Sequence, residues 1–508
     1  IRDRPFAGRS DSKSRTNYGR GHFSAVFDPT PKHTAGFDIE YTERSTHMPT
    51  LSRTTLGQTQ SDSRYRQHMD GNTLTATANY IWKIDTLGSQ FKLIADYTRY
   101  TSDGDNSYHT TTCAPGTLRD SLYESATGSV YDILTADAGL TRKLPHGLTL
   151  RAGLRYTRND MADKSRYAAQ TQGTWLALPE YSYDQHYTEQ IGAAYASLEY
   201  SAGRWELSAG LRGEYTSVAS QAFGRSYFGL FPNVSVSRAL NALRTWLLVA
   251  QWSRNIERPA FPALNPARIR ISDYSWQSGN PSLRPTYIHR FSLTAVWKYR
   301  YTLTVGGNLH HDLIREIAHR DATAPDAVYI RPENHYTENH WFVAASVPAK
   351  ITRWWNLSVN AVGVMQRIRL NSTDSPATHY LMFADATCSF TLPAGFFAEA
   401  AYRAQSRLYS GNSEVGPRHT LSATVKKQLF DKRLTLFCTL SNITGCDWEF
   451  ASLTDGMRRT IDTRQAWSGR LWKVGAAWNF RTGKKFRART VESAAETQRK
   501  RLVKSTEQ

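Results

Sequence analysis

The chain has no apolar run long enough to cross a membrane as a helix, which takes about 18 residues or more; residues 246–250 typify its longest runs. A helical membrane protein is therefore excluded. Cysteine is scarce: Cys113, Cys388, Cys438 and Cys446 are the only four in 508 residues. They form no CxxC pair and are too few for a disulfide framework. GxGxxG, P-loop, HExxH and GxSxG sequences are all missing, and no carboxylate pair stands out by its spacing. Neither an enzyme nor a bound cofactor is expected. The chain opens on Ile1 with no secretory signal peptide, so a secreted or membrane reading implies a processed or N-terminally truncated chain.

What the sequence has in quantity is aromatic residues and positive charge. Aromatics make up 12% of the chain, with 27 Tyr and 14 Trp, against only 40% hydrophobic residues in all. The net charge is +19, but residues 481–508 hold nine Lys/Arg against three Asp/Glu, so +6 of it sits in one terminal tail. The other basic residues are spread through the chain without a basic helix, and no nucleic-acid partner is expected.

The informative pattern has a period of two. In 287–309, His289, Phe291, Leu293, Ala295 and Trp297 alternate with Arg290, Ser292 and Thr294. After a turn at 298–300, Tyr301, Leu303, Val305, Gly307 and Leu309 alternate with Thr302, Thr304 and Asn308. Successive strand side chains point to opposite faces, so this is a hairpin with one apolar and one polar face. Each arm runs about ten residues, enough to span a bilayer when tilted. The same alternation recurs at 73–82, 91–97, 148–156, 205–215 and 355–361. Tight turns are expected near 28–32, 85–89, 145–147, 201–203, 241–242, 298–300, 350–353, 393–395 and 431–432. Long polar loops are expected at 102–125, 159–183, 256–285, 320–338, 371–378 and 445–464. Tight turns at one edge and long loops at the other belong to outer-membrane barrels.

The alternation alone would also fit a soluble, half-buried sheet, such as a secreted all-β binding protein. Aromatic placement separates the two. Trp82, Trp205, Trp246, Trp297, Tyr301, Trp354, Trp355, Phe396, Phe397 and Phe430 all cluster beside the short turns. Aromatic rings gather at the water–lipid boundary as girdles, whereas a soluble sheet would bury them mid-strand. The expected fold is all-β: a transmembrane antiparallel barrel of 18–22 strands. Nine turns give eighteen strands, and 471–480 makes nineteen and is expected to close the sheet. The barrel would occupy 1–480, N-terminally truncated, and 481–508 would be a solvated basic tail on the periplasmic side. Cys388 and Cys438 fall in phase with lipid-facing residues, and whether Cys113 pairs with Cys446 is left open.

Polar residues in strand phase point into the lumen, which makes Arg151, Arg155, Arg212 and Glu214 candidates to line it. His310, His311 and Asp312 resemble a metal set but lie where an external loop begins, so a solvated rim is the expected reading. The Tyr- and Trp-bearing stretch 272–277 offers aromatic faces to a ligand.

Residues 252–266, WSRNIERPAFPALNP, followed by 279–291, GNPSLRPTYIHRF, resemble a signature of the outer-membrane β-barrel family related to TonB-dependent receptors. Residues 440–448, LSNITGCDW, resemble that family's penultimate-strand segment, with Ile443 and Thr444 where Phe and Asn are usual, and the basic tail is similar too. The resemblance covers essentially the whole chain. It implies a 22-stranded barrel in the outer membrane that takes up a nutrient too large for general porins. It also implies a ligand at the external loops and a TonB partner reached through an N-terminal plug. No plug is recognisable here, because strand-like sequence begins by about Tyr18. A plug-less passive pore or structural barrel is therefore the alternative.

Overall fold

The computed structural model describes residues 6–221, 223–266, 268–272, 274–321, 327–445, 448–454, 457–463, 469–480 and 491–502. A 23-stranded sheet dominates it, antiparallel along its wall. Setting aside the short excursions Thr174–Ala177, Ile269–Ser272 and Ser275–Gln277, and counting the consecutive Phe6–Ser12 and Arg15–Thr30 as one, leaves nineteen wall strands. They pair in chain order from Phe6–Thr30 to Leu471–Trp478, each mainly with its neighbour in sequence. Leu471–Trp478 bonds to Leu434–Ser441; the expected closing ladder to the first strand is not among the described pairings.

Burial on the wall is inverted relative to a soluble sheet. Leu154 is 66% exposed, whereas Thr157, on the opposite face of the same strand, is 2% exposed. The pattern repeats along the wall: Leu93, Leu134, Leu198, Leu211, Leu293, Leu303 and Val343 are exposed, while Thr98, Thr135, Asn159 and Thr216 are buried. Apolar side chains turned outward over this many strands are stable only against lipid. Aromatics mark the rims of the band. Near the short turns Trp246 stacks on Trp297 at 5.7 Å, Trp297 meets Tyr301 at 5.0 Å, and Phe430 meets Trp478 at 5.8 Å. The upper rim carries Tyr156, Tyr215, Phe228 and Trp252. From Trp205 to Tyr215 is ten residues, which at about 3.3 Å per residue and a tilt of about 40° project to about 25 Å, the height of such a band. Cys388 shares the outward phase of Tyr380 and Met382, and Cys438 that of Leu436. Cys113 is exposed; Cys446 lies outside the described residues.

All nine expected short turns are present. The opposite edge needs a correction. Residues 102–125 and 159–183 are mostly not irregular loops, because Gln90–Ala114 and Thr117–Leu144 stay paired up to a tight turn at Pro115–Gly116, and Leu148–Thr171 continues equally far. Likewise Tyr301–Arg320 and Val328–Lys350 leave only 321–327 between them. Beyond the membrane both strand faces are polar, so composition suggests a loop, while Thr- and Tyr-rich stretches such as Thr110–Thr112 keep their preference for strand. Further round the wall, Leu408–Ser410, Ser413–Val415, Trp448–Thr454 and Met457–Thr463 join two external loops into a separate four-stranded sheet.

Candidate functional site: the lumenal seat

The segment singled out by its resemblance folds into the barrel. After Trp246–Glu257 the chain turns inward, and the single helical turn Phe261–Leu264 leads into the lumen. Phe261, Leu264 and Leu283 are buried against Tyr131, Ile133, Met161, Tyr187 and Val218, all inward-facing on neighbouring wall strands. Phe261 meets Tyr131 edge-on at 5.7 Å. Gly279 lets the two limbs of this loop touch: a Cβ there would lie 2.1 Å from the Asn265 carbonyl oxygen. Asn280 then donates its backbone N–H to the Ala263 carbonyl at 2.7 Å. Three further hydrogen bonds fasten the loop to the wall. Arg225 donates to the Leu283 carbonyl at 2.6 Å, Asn280 to the Pro332 carbonyl at 3.0 Å, and Tyr183 to Asn265 Oδ1 at 2.6 Å.

Above the membrane band, Asp163 accepts from Ser129 at 2.5 Å and Tyr131 at 2.8 Å beside this loop, and Asn265 also reaches it. Burial nonetheless pushes the Asp163 carboxyl above the ordinary carboxylate range. Burial likewise raises the Tyr183 phenol, helped by the nearby Asp163.

The tail was expected to be solvated, but its described part, 491–502, is seated inside the barrel. Val491 lies beside Gly36, near the short-turn end of His33–Leu56. Lys92 holds Glu492 at 2.7 Å, and the Ala494 backbone N–H donates to Asp96 Oδ2 at 2.7 Å. Ala494, Ala495, Gln498 and Arg501 are buried. Arg501 is where wall, tail and loop meet. It contacts Glu189 at 2.5 Å, donates to the Pro259 carbonyl at 3.0 Å, and lies 4.3 Å from the centre of the Phe261 ring. Glu189 also accepts from Asn159 at 2.8 Å and lies 3.8 Å from Arg258, which bridges at 2.7 Å to Glu214. Buried charges persist only where they are paired and hydrogen-bonded, and this chain of charges satisfies that condition.

Of the four candidate lumen residues, Arg212 and Glu214 adjoin it. Arg212 and Glu214 pair at 2.5 Å on the face that carries Thr216. Arg155 pairs with Asp137 at 2.7 Å, and Arg151 contacts Glu199. Of the four, Glu214 alone touches the Arg258 chain directly. Sequence reading misses Asp96, Glu189 and Arg501, and holds Arg258 only as part of the 252–266 resemblance, with no role of its own. The one signal for the tail is the spacing of Ala494, Ala495, Gln498 and Arg501, a small-and-polar stripe at helical period within a charged stretch.

Of His310, His311 and Asp312, His311 is exposed as a rim residue would be, while its two neighbours are drawn in. His310 bonds the Glu338 backbone oxygen at 2.7 Å, and buried Asp312 pairs with Arg284 at 2.7 Å. No cluster of three or more His, Cys, Asp or Glu suited to a metal occurs among the described residues. Close by, fully buried Glu338 takes donors from Arg315 at 2.9 Å, His340 at 2.8 Å and Gln366 at 2.8 Å. Gln366 also donates to the Tyr409 carbonyl at 3.1 Å, which draws a second external loop over the wall. In the 272–277 stretch, Trp276 stands 5.9 Å from the Arg268 guanidinium, which also faces Tyr181 at 5.1 Å.

The sequence model described as the outer membrane protein beta-barrel family matches residues 82–478. No protein of curated function matches the sequence. Among solved structures, the chain is similar to the ferric-catecholate import receptor Fiu of E. coli K12 in its closed form. That likeness has a TM-score of 0.58 at 9% identity and covers 93% of this chain and 81% of that one. It is also similar to the ferric yersiniabactin uptake receptor FyuA of Yersinia pestis, with a TM-score of 0.54 at 10% identity over 93% of this chain and 80% of that one. At such identities the likeness is one of fold.

Proposed function

This chain belongs to the outer membrane protein beta-barrel family, and from that premise we propose that it takes up a solute too large for general porins across the outer membrane. The observation that carries the reading is the inward-folded 258–285 loop. It places a packed, hydrogen-bonded floor beneath the external extensions, where a captured solute would rest before entering the lumen. The similarity in fold to two import receptors supports the reading. External aromatic and basic groups, among them Arg268, Tyr181 and Trp276, provide the capture surface. Arg151, Arg155, Arg212 and Glu214 line the route below. We carry TonB as the energising partner, reached through a plug domain.

The test is permeation of size-graded fluorescent solutes into porin-deficient cells that display the barrel. Uptake above the size passed by control cells, abolished by a protonophore, supports an energised receptor. Uptake indifferent to the protonophore moves the assignment to a passive pore. A folded, surface-displayed barrel that passes nothing overturns the uptake reading.

A further inference from the structure

We propose that residues 491–502 form a releasable strap, which while seated holds the 258–285 loop in the lumen and on leaving sets it free. The inference rests on the uptake reading only in taking that loop as the floor on which solute rests. Its structural basis is independent. The segment touches the wall at two levels. Its start is fixed near the short-turn end by Lys92 and Asp96. Its end, eight to ten residues on, reaches the loop through Arg501 and Leu502. One guanidinium joins three elements that are far apart in sequence: Glu189 of the wall, Pro259 and Phe261 of the loop, and Gln498 of the tail itself at 2.8 Å.

The seat is polar in a way that favours release. Most contacts between tail and wall are ion pairs or hydrogen bonds; the apolar ones are Val491 beside Gly36, small alanines, and Leu502 at the edge of the cluster. Glu189 keeps Asn159 and Arg258 when the tail departs, so the empty seat retains partners for its carboxylate. Two sites that share one bistable element are coupled reciprocally. Displacing the loop from above therefore exposes the basic tail below, and drawing the tail out from below loosens the loop above.

The experiment uses the full chain in detergent and a version truncated before Val491, with hydrogen exchange read along the polypeptide. If the unseated state is populated at about 1–10%, truncation is expected to speed exchange in 258–285 by about 10- to 100-fold. Exchange in Phe396–Gln405 and Arg418–Leu429 should not change. A synthetic peptide of residues 491–502 added to the truncated barrel should restore protection, and the same peptide with Arg501→Ala should not. A cysteine pair, Asp96→Cys with Ala494→Cys and the native cysteines replaced by serine, should hold the loop protected until reduced. Unchanged loop exchange after truncation, or a peptide that fails to restore protection, overturns the strap. The permeation assay on the same two proteins separates the premises. If truncation releases the loop but neither protein passes any solute, the strap stands and the uptake reading falls.

Discussion

The first and last thirds of the wall are built on the same strand pattern but differ in what lies behind them. From His33–Leu56 to Tyr183–Ala202 the strands run 20–28 residues, and their inner faces are buried beneath the tail and the 258–285 loop. From Phe396–Gln405 to Leu471–Trp478 they run 8–12 residues, and buried positions are rare there. From Val328–Lys350 onward, inner-face groups satisfy one another sideways, as in Ser346–Asn360 at 2.6 Å, Asn360–Asp385 at 2.8 Å and Thr424–Thr439 at 3.1 Å. Groups of the earlier wall reach inward to segments distant in sequence. Lipid contact thus dictates the outer face everywhere, while the inner face differs according to what it must hold.

The strongest test of this contrast is Glu189→Ala, which leaves two buried guanidinium groups without their shared carboxylate. Losing one member of a buried pair costs about 3–5 kcal/mol. The matching change where the wall pairs sideways, Asp385→Ala, removes a hydrogen bond at a half-buried site and is expected to cost about 1 kcal/mol. Urea titrations of both variants in detergent check the ratio; equal losses would erase the distinction. A narrower break is Gly279→Ala. The added methyl meets the Asn265 carbonyl, so the loop limbs must separate, with a strain cost of about 1–3 kcal/mol. Faster proteolysis confined to 258–285 is the expected outcome.

At the girdle, Trp297→Ala removes contacts to both Trp246 and Tyr301. Beyond the area lost, each such aromatic pair contributes about 0.5–1.5 kcal/mol, and the loop should keep its protection. The smallest effect concerns pH. Because the Asp163 carboxyl titrates above its ordinary range, folding favours its neutral form. The stability it adds is complete below the unfolded carboxylate pKa and is lost as pH rises through the raised one. Loop protection should therefore weaken modestly from acidic to neutral buffer in the native protein and lose that dependence in Asp163→Asn, as proteolysis rates at the two pH values would show.

The two faces also differ in how far they are legible in the sequence. Outward residues obey a local rule, because each lipid-facing position needs only its own apolarity and its parity with its neighbours. That is why the turns at 145–147 and 298–300, the Trp246–Trp297 girdle and the nineteen strands all follow from alternation. The paired extensions above the membrane escape it because polarity on both faces removes the contrast on which alternation depends. Arg501 and Glu189 escape it for another reason: 312 positions separate them, and nothing near either residue announces the other. Arg212 and Glu214, two positions apart, are legible as neighbours on one strand face, whereas the link through Arg258 to Glu189 is not.

Val491 follows the end of Leu471–Trp478 by only thirteen positions, so the strap is tethered to the same wall that carries its seat. Their meeting is an intramolecular event, at a local concentration that the tether sets. How often the seat is filled is therefore a property of each single barrel, unchanged by how many copies the membrane carries. Any free basic peptide competing for that seat would have to reach comparable concentrations to displace it.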